Sequence, residues 1–226
     1  MKIGILLSGC GVYDGSEIQE AICTMLAISR AGATYCCIGI DADQHHVINH
    51  LTGEEMNESR NMLVEAARIA RGEITPIDKI QPADIDALVI PGGFGNAKNL
   101  TTWAFSGPNG TILPEVKLLL VNLINVGKPI AALCVSPVVL AKALEGSNVH
   151  PELTIGTTAE KSPYEIASFA QGLEKTGAKA VEKSVREVYV DKVNKLVSAP
   201  CYMMDATITE IDNNIQQAVN ELIKLI

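Results

Sequence analysis

Short aliphatic runs alternate with amphipathic segments along most of the chain. Continuous apolar runs of four to eight residues are typical of strands buried on both faces, whereas apolar positions three and four apart indicate helices. The pattern predicts strands at residues 2–8, 33–40, 74–77, 86–91, 129–134 and 153–156, and a hairpin formed by 188–191 and 195–199. It predicts helices at residues 17–31, 57–70, 114–126, 137–144, 164–175 and 205–226.

Repeated strand–helix units of this kind favour an α/β fold. We expect a three-layer, doubly wound arrangement in which helices flank a mostly parallel sheet. The sequence has no internal repeat, low-complexity segment or linker, so residues 1–226 are predicted to form a single domain.

Composition narrows the classes of partner. Hydrophobic residues make up 47% of the chain and charged residues 19%, as in folded globular proteins. The net charge of −8 argues against a nucleic-acid partner, and no basic cluster or long apolar run suggests membrane binding. The six cysteines show no CxxC spacing, and no export signal is evident, so we expect free thiols and a cytoplasmic location.

One cysteine stands where a predicted strand meets a predicted helix. Residues 129–133 are aliphatic, Cys134 follows, and Ser136 and Pro137 open a helix. A sharp strand-to-helix turn exposes a nucleophile at the carboxyl edge of a sheet, and the helix N-terminus favours a thiolate there. From the local residues alone, a buried and inert cysteine is an equally good interpretation.

Two further segments reach the same edge of the predicted sheet. Gly92 and Gly93 follow the strand at 86–91 and allow backbone N–H groups to approach a ligand, although a plain tight turn would look the same. Glu17 lies just past the first strand, where it is expected either to transfer protons near Cys134 or only to complement a helix dipole. The backbone N–H of Val135 is the expected oxyanion donor beside the nucleophile.

His46 and His50 stand four residues apart, a spacing that metal ligands on a helix use. Their segment is predicted to be a loop, and no HExxH glutamate accompanies them. We therefore expect no metal site and no cofactor, and we expect His50 to contact substrate.

Three segments carry a resemblance to a known family: SGCGVYDGSE at residues 8–17, VINHLTGE at 47–54 and PGGFG at 91–95. They resemble the ElbB-type family, named for isoprenoid biosynthesis and described as a glyoxalase, within the PfpI-like, class I glutamine amidotransferase-like superfamily. The resemblance runs essentially end to end. It implies that Cys134 is the nucleophile, that Glu17 contacts its sulfur, that Gly93 and Val135 supply oxyanion N–H groups, and that the protein is a homodimer.

One departure bears on the reaction. Val135, not histidine, follows Cys134, and no histidine lies in residues 153–162. Without a Cys–His pair, amide hydrolysis would lack an acid for the leaving amine. The leading hypothesis is a glutathione-independent glyoxalase that acts on a small dicarbonyl such as glyoxal or methylglyoxal. The alternatives are a cysteine redox sensor or binding protein linked to isoprenoid metabolism and, ranked lowest, an amidase or deglycase.

Overall fold

The computed structural model describes residues 1–226 and is built around a seven-stranded sheet with the order β3-β2-β1-β4-β5-β9-β8. Its strands, and the two of a separate small sheet, are β1 (Lys2–Leu7), β2 (Thr34–Gly39), β3 (Ile74–Pro76), β4 (Ala87–Ile90), β5 (Ile130–Leu133), β6 (Glu152–Leu153), β7 (Lys179–Ala180), β8 (Tyr189–Asp191) and β9 (Leu196–Ala199). The helices are α1 (Ile18–Arg30), α2 (Met62–Ile69), α3 (Trp103–Ser106), α4 (Pro114–Asn125), α5 (Pro137–Leu144), α6 (Ile166–Lys175) and α7 (Ile208–Lys224).

The order of the strands determines where a site can form. All pairs in the large sheet are parallel except β8 with β9, which is antiparallel. From β1 the chain first winds outward through β2 and β3, and then returns to β4 on the other side of β1. In doubly wound sheets, ligands bind at the carboxyl ends of the strands beside this reversal. The ends of β1, β4 and β5 are therefore the expected location of a site.

Helices cover the sheet in pairs: α1 packs with α7, and α4 packs with α5. The central strands β4 and β5 are buried along their whole length, which explains their continuous apolar sequences. The predicted α/β fold with a mostly parallel sheet flanked by helices is confirmed. None of the helices has both the length and the apolar character needed to cross a bilayer.

Three predicted elements differ from the structure. Helix α2 begins at Met62 rather than at 57, because the Asn61 side chain caps it by accepting the N–H groups of Leu63 and Val64. The strand predicted at 153–156 is reduced to β6, which pairs with β7 outside the main sheet. The loop predicted at 94–113 contains a π-helical turn over Asn96–Leu100, followed by the short helix α3.

Candidate active site

Cys134 lies at the turn between β5 and α5, as the sequence predicts. Its backbone φ is +58°, a left-handed conformation that residues other than glycine rarely adopt. The turn is held by two hydrogen bonds, from Cys134 N–H to the Ala199 carbonyl at 2.9 Å and from Ser136 N–H to the Leu133 carbonyl at 2.9 Å. Backbone strain at a strand–helix junction is a feature of nucleophile elbows.

A buried hydrogen-bond network fixes this turn to its neighbours. The Asn96 amide donates to the Ser136 hydroxyl at 2.8 Å, and that hydroxyl donates to the Pro91 carbonyl at 2.6 Å. The Ser8 hydroxyl donates to the Asn96 side-chain oxygen at 2.6 Å. The ends of β1 and β4 and the elbow are thus joined by fully buried groups, which makes the site rigid.

The carboxyl group against the Cys134 thiol belongs to Glu20, and not to Glu17 as the sequence predicted. Glu20 lies in the first turn of α1, is completely buried, and faces the thiol within hydrogen-bonding reach. Its two oxygens accept the backbone N–H groups of Gly92 at 2.7 Å and Tyr202 at 3.2 Å. These bonds hold the carboxyl in one orientation beside the sulfur.

Glu17 occupies a different position in the same site. It is the N-cap of α1, and its carboxylate accepts the Glu20 N–H at 2.7 Å. Ser16 and Asp14, which are common capping residues, are engaged elsewhere: the Ser16 hydroxyl accepts the Ser8 N–H, and the Asp14 carboxylate accepts the Ile48 N–H. The Glu17 side chain lines the space next to Cys134, and its partial burial raises its pKa.

Burial controls the protonation of the Cys134–Glu20 pair. It raises the pKa of Glu20 to about 8, with a smaller contribution from the charge of Glu17. Burial, followed by the proximity of Glu20, also raises the pKa of the Cys134 thiol. At neutral pH the pair therefore holds both protons, and the first proton leaves with an apparent pKa that belongs to the two groups together.

Two backbone N–H groups partly offset the rise in the pKa of Cys134. Those of Gly93 and Val135 point at the Cys134 sulfur and lower its pKa. They are the two positions that the sequence predicted as oxyanion donors, and that role stays a prediction. Gly92 cannot act in the same way, because its N–H is already donated to Glu20. It holds the carboxyl instead of binding substrate.

The space next to the thiol, which we call the reaction pocket, is small and mostly apolar. Its volume of about 20 Å³ leaves room for roughly one water molecule. It is lined by Val12, Glu17, Gly93, Phe94, Cys134, Val135, Tyr164, Tyr202 and Met203. Sequence reasoning assigned no role to Phe94, Tyr164 or Tyr202, because an aromatic residue in a loop has no pattern that marks it as part of a site.

None of the four histidines lines the reaction pocket. The predicted substrate contact of His50 is not supported: its ring packs on Tyr13 with 4.9 Å between centroids, and its Nε2 lies 3.3 Å from the Tyr13 backbone N–H. The loop that carries it closes on Asp14 and Tyr13 rather than on Cys134. A Cys–His pair, which the sequence lacks at the expected positions, is also missing from the fold.

Replacing Gly92 by alanine should damage this centre directly. The added Cβ would lie 2.3 Å from the Cys134 Cβ and 2.4 Å from the Glu20 carboxyl oxygen, much closer than atoms pack. We expect Gly92→Ala to lower the free energy of unfolding by roughly 2 kcal/mol or more and to change the rate at which iodoacetamide alkylates Cys134. Urea denaturation and mapped alkylation measure both effects. Wild-type values for both would contradict the described geometry.

The chain is similar to known proteins in both sequence and fold. The model of the DJ-1/PfpI family matches residues 10–201. The human glutamine amidotransferase-like class 1 domain-containing protein 3, mitochondrial, is 41% identical over 99% of this chain and 83% of its own length. The rat ES1 protein homolog, mitochondrial, is 40% identical over 99% of this chain and 84% of its own length.

Two solved structures are similar to different degrees. The Ehrlichia chaffeensis isoprenoid biosynthesis protein with an amidotransferase-like domain is 33% identical, with a TM-score of 0.90 over 100% of this chain and 99% of its own. Glyoxalase III of Candida albicans shares the fold, with a TM-score of 0.61 and 13% identity over 98% of this chain and 97% of its own.

The names of these relatives correct one expectation from the sequence. The human and rat relatives are both named as mitochondrial proteins, which overturns the predicted cytoplasmic location. Composition and the pattern of cysteines could not have shown this, because a reducing compartment is all that free thiols indicate.

Proposed function

The chain belongs to the DJ-1/PfpI family, and we propose that it is a glutathione-independent glyoxalase that converts glyoxal, and by extension methylglyoxal, into a 2-hydroxy acid. The observation that carries the proposal is the buried thiol of Cys134 on a strained elbow, in reach of the Glu20 carboxyl and beside the Glu17 carboxyl. This set can form and break a covalent bond and move two protons without a cofactor. The glyoxalase III fold neighbour is consistent with such chemistry on this scaffold.

The first half of the proposed reaction forms a covalent adduct. The Cys134 sulfur attacks one aldehyde carbon of glyoxal, and the thiol proton passes through Glu20 to the carbonyl oxygen, which gives a hemithioacetal. The N–H groups of Gly93 and Val135 stabilise the oxygen as its charge develops. Glu20 fits the first proton transfer because it faces the thiol and is held by two backbone N–H groups.

The second half moves a carbon-bound proton. We assign this step to Glu17, since its carboxyl lines the reaction pocket while Glu20 is completely buried behind the sulfur. Glu17 removes the proton from the hemithioacetal carbon and returns it to the adjacent carbon, while the hydroxyl proton on the first carbon passes to the oxygen of the second, which yields a glycolyl thioester. Water then hydrolyses the thioester to glycolate and regenerates the thiol. One glyoxal and one water give one glycolic acid, so no oxidant or reductant is consumed.

The absence of histidine from the reaction pocket favours this reaction over amide cleavage. A thiolate leaves without protonation, whereas a departing amine needs a proton donor. The small pocket adds a size limit, because only a compact reacting group fits beside Cys134. Both features support a small aldehyde rather than a peptide or glutamine side chain.

Glycolate formation from glyoxal, followed by proton NMR, tests the proposed function. We expect saturable turnover by the wild-type protein and none by Cys134→Ala. Cys36→Ala is the matched control, because Cys36 is a partly exposed thiol on β2 away from the pocket. Equal rates in Cys134→Ala and wild type, or a rate that never saturates, would show incidental thiol chemistry instead.

A second candidate function follows from the same thiol. Cys134 and Cys201 are both buried, both have positive φ angles, and the Cys201 thiol approaches the Cys134 backbone. A peroxide-sensing role would oxidise Cys134 selectively to the sulfinate, with protonated Glu20 donating a hydrogen bond to it. Mass spectrometry after peroxide treatment, combined with the absence of glyoxal turnover, would favour this function over the glyoxalase.

We also propose membership in the ElbB-type subfamily and a link to isoprenoid metabolism. Two of the three resembling segments, 8–17 and 91–95, contribute residues to the reaction pocket, and the structural relative from Ehrlichia chaffeensis is named as an isoprenoid biosynthesis protein. Changes in dicarbonyl and isoprenoid levels on deletion of the gene would test it.

The predicted homodimer also stays a proposal, and helix α1 offers a surface for it. Ile18, Ile22 and Leu26 follow one another every four residues and remain 44%, 45% and 42% exposed. Such a stripe is typical of an interface between copies. We expect Leu26→Glu to shift the wild-type dimer to a monomer in light scattering, whereas Leu118→Glu on α4, equally apolar and 62% exposed, should not. A dimer that survives Leu26→Glu would exclude α1 from the interface.

A further inference from the structure

A larger cavity lies next to the reaction pocket and has no part in the proposed chemistry. It has a volume of about 620 Å³, within the usual range for small-molecule sites. Tyr13, Phe94, Trp103 and Phe169 provide aromatic walls, and Lys98 provides the single charged group. We call this cavity the aromatic groove. Apolar walls around one charged group are typical of sites for small amphipathic ligands.

Lys98 is the group that suggests what the groove binds. It lies on the π-helical turn Asn96–Leu100, and π-helical turns are frequent at functional sites. Its ammonium donates one hydrogen bond, to the Tyr13 carbonyl at 2.8 Å, and has no carboxylate within 4.0 Å. An ammonium has three donors, so two remain for a ligand. Partial burial lowers the pKa of Lys98, which a bound anion would reverse.

The charges around Lys98 favour a ligand with a single negative charge. Asp14 and Glu55 are the acidic groups close enough to favour the charged form of Lys98. One Asp14 oxygen already accepts the Ile48 N–H at 2.7 Å, and the other lies 3.8 Å from His50. A phosphate dianion would meet these carboxylates with only one cation to balance it. A carboxylate of single charge attached to an apolar body matches both the lysine and the aromatic walls.

The walls of the groove are held firmly enough to recognise such a ligand. Trp103 packs against α6, where a Cβ on Gly172 would lie 2.7 Å from the indole ring. The buried Lys142 ammonium donates to the Pro108 carbonyl at 2.8 Å and so fixes the loop beside Trp103. Rigid walls lose little conformational entropy when a ligand binds, which lowers the free-energy cost of binding.

Phe94 separates the groove from the reaction pocket, since its side chain lines both. Its ring packs edge-on against Tyr164 with 5.4 Å between centroids. The backbone is fixed on either side, because a Cβ at Gly93 or Gly95 would lie within 2.3 Å of the Gly15 backbone.

We propose that the aromatic groove is a binding site for hydrophobic carboxylates, with the carboxylate at Lys98 and the apolar body against Trp103, Phe169 and Phe94. The site is separate from the Cys134 centre and does not depend on the function proposed above. Its ligand class is a monoanion with an aromatic or aliphatic body, and 4-phenylbutyrate is a simple example.

The chain contains a single tryptophan, so fluorescence reports directly on the groove. Titration of the full-length protein with 4-phenylbutyrate should change the Trp103 emission in a saturable way. The neutral analogue 4-phenylbutanamide should bind roughly tenfold or more weakly, since it loses the charge-assisted bond to Lys98. Lys98→Met should weaken 4-phenylbutyrate binding to a similar extent and leave the amide unaffected. Lys117→Met, an exposed lysine on α4, is the matched control.

The outcomes separate this proposal from the catalytic one. Cys134→Ser should bind 4-phenylbutyrate as wild type does, even if glyoxal turnover proves absent. No saturable change in Trp103 emission, or equal affinity for the acid and the amide in the wild-type protein, would overturn the proposal. The comparison of acid with amide needs no variant, so it stands even if Lys98→Met fails to fold.

Discussion

Glu20→Gln should speed the alkylation of Cys134 and slow glyoxal turnover, whereas Glu17→Gln should slow turnover alone. This split is expected because the two carboxyls occupy different positions: Glu20 faces the thiol, and Glu17 lines the reaction pocket. In wild type, the Cys134–Glu20 pair loses its first proton near pH 8, the raised pKa of Glu20. Above this pH the Glu20 carboxylate opposes ionisation of the thiol. With glutamine at position 20 that charge is absent, and only burial still raises the pKa of Cys134.

The expected effects are large. Losing a positioned proton-transfer group costs about 10²–10⁴-fold in turnover, and each glutamine variant should fall in that range. Iodoacetamide alkylation at about pH 9 should be roughly tenfold faster in Glu20→Gln and stay within about twofold of wild type in Glu17→Gln. If Glu17→Gln changed the alkylation rate as much as Glu20→Gln did, the assignment of Glu20 to the sulfur would be wrong.

Glu20 should also make the protein less stable as the pH rises. Burial raises its pKa in the folded protein from 4.5 to about 8. The folded state therefore keeps a proton that the unfolded chain has already lost, and its stability falls as the pH increases between these values. The contribution of Glu20 to the free energy of unfolding is complete below pH 4.5 and is lost as the pH passes 8. Between pH 5.5 and pH 8 the loss amounts to about 3 kcal/mol.

Urea denaturation of wild type and Glu20→Gln at pH 5.5 and pH 8 measures this effect. The variant should lose about 3 kcal/mol less than wild type over the interval, because it has no proton to release there. Exposed carboxyls with lowered pKa values, such as Glu152 and Glu210, are common to both proteins and cancel in the comparison. Parallel pH profiles for the two proteins would mean that Glu20 is ionised in the folded state.

The fold and the position of Cys134 at the strand–helix turn could be predicted from the sequence for clear physical reasons. Strands β4 and β5 are buried on both faces, so their sequences are uninterrupted aliphatic runs. Gly92 follows the first run closely, and Cys134 follows the second directly. Because parallel strands bring their carboxyl ends to one edge, the two segments had to lie near each other. Strands β6 and β7 have two residues each and are too short to give a detectable pattern.

The acidic partner of Cys134 was predicted incorrectly because Glu17 and Glu20 are three residues apart. Residues at this spacing lie on similar sides of a helix, so the choice depends on where α1 begins and how it is rotated. The positions that follow do not separate the two: Ala21 and Thr24 continue the face of Glu17, Thr24 and Ala27 continue the face of Glu20, and all three are buried. The groove was not predicted because its walls come from loops and helices far apart in sequence.

The most direct test of the central claim, covalent catalysis at Cys134, is to trap the adduct during turnover. Wild-type protein mixed with glyoxal, quenched in acid and mapped by mass spectrometry should carry the elements of one glyoxal on Cys134. Neutral hydroxylamine should release part of it as the glycolyl hydroxamate, because only the thioester reacts in that way. Glycolate formation with no hydroxylamine-sensitive adduct on Cys134, or with Cys36 modified to the same extent, would contradict the account.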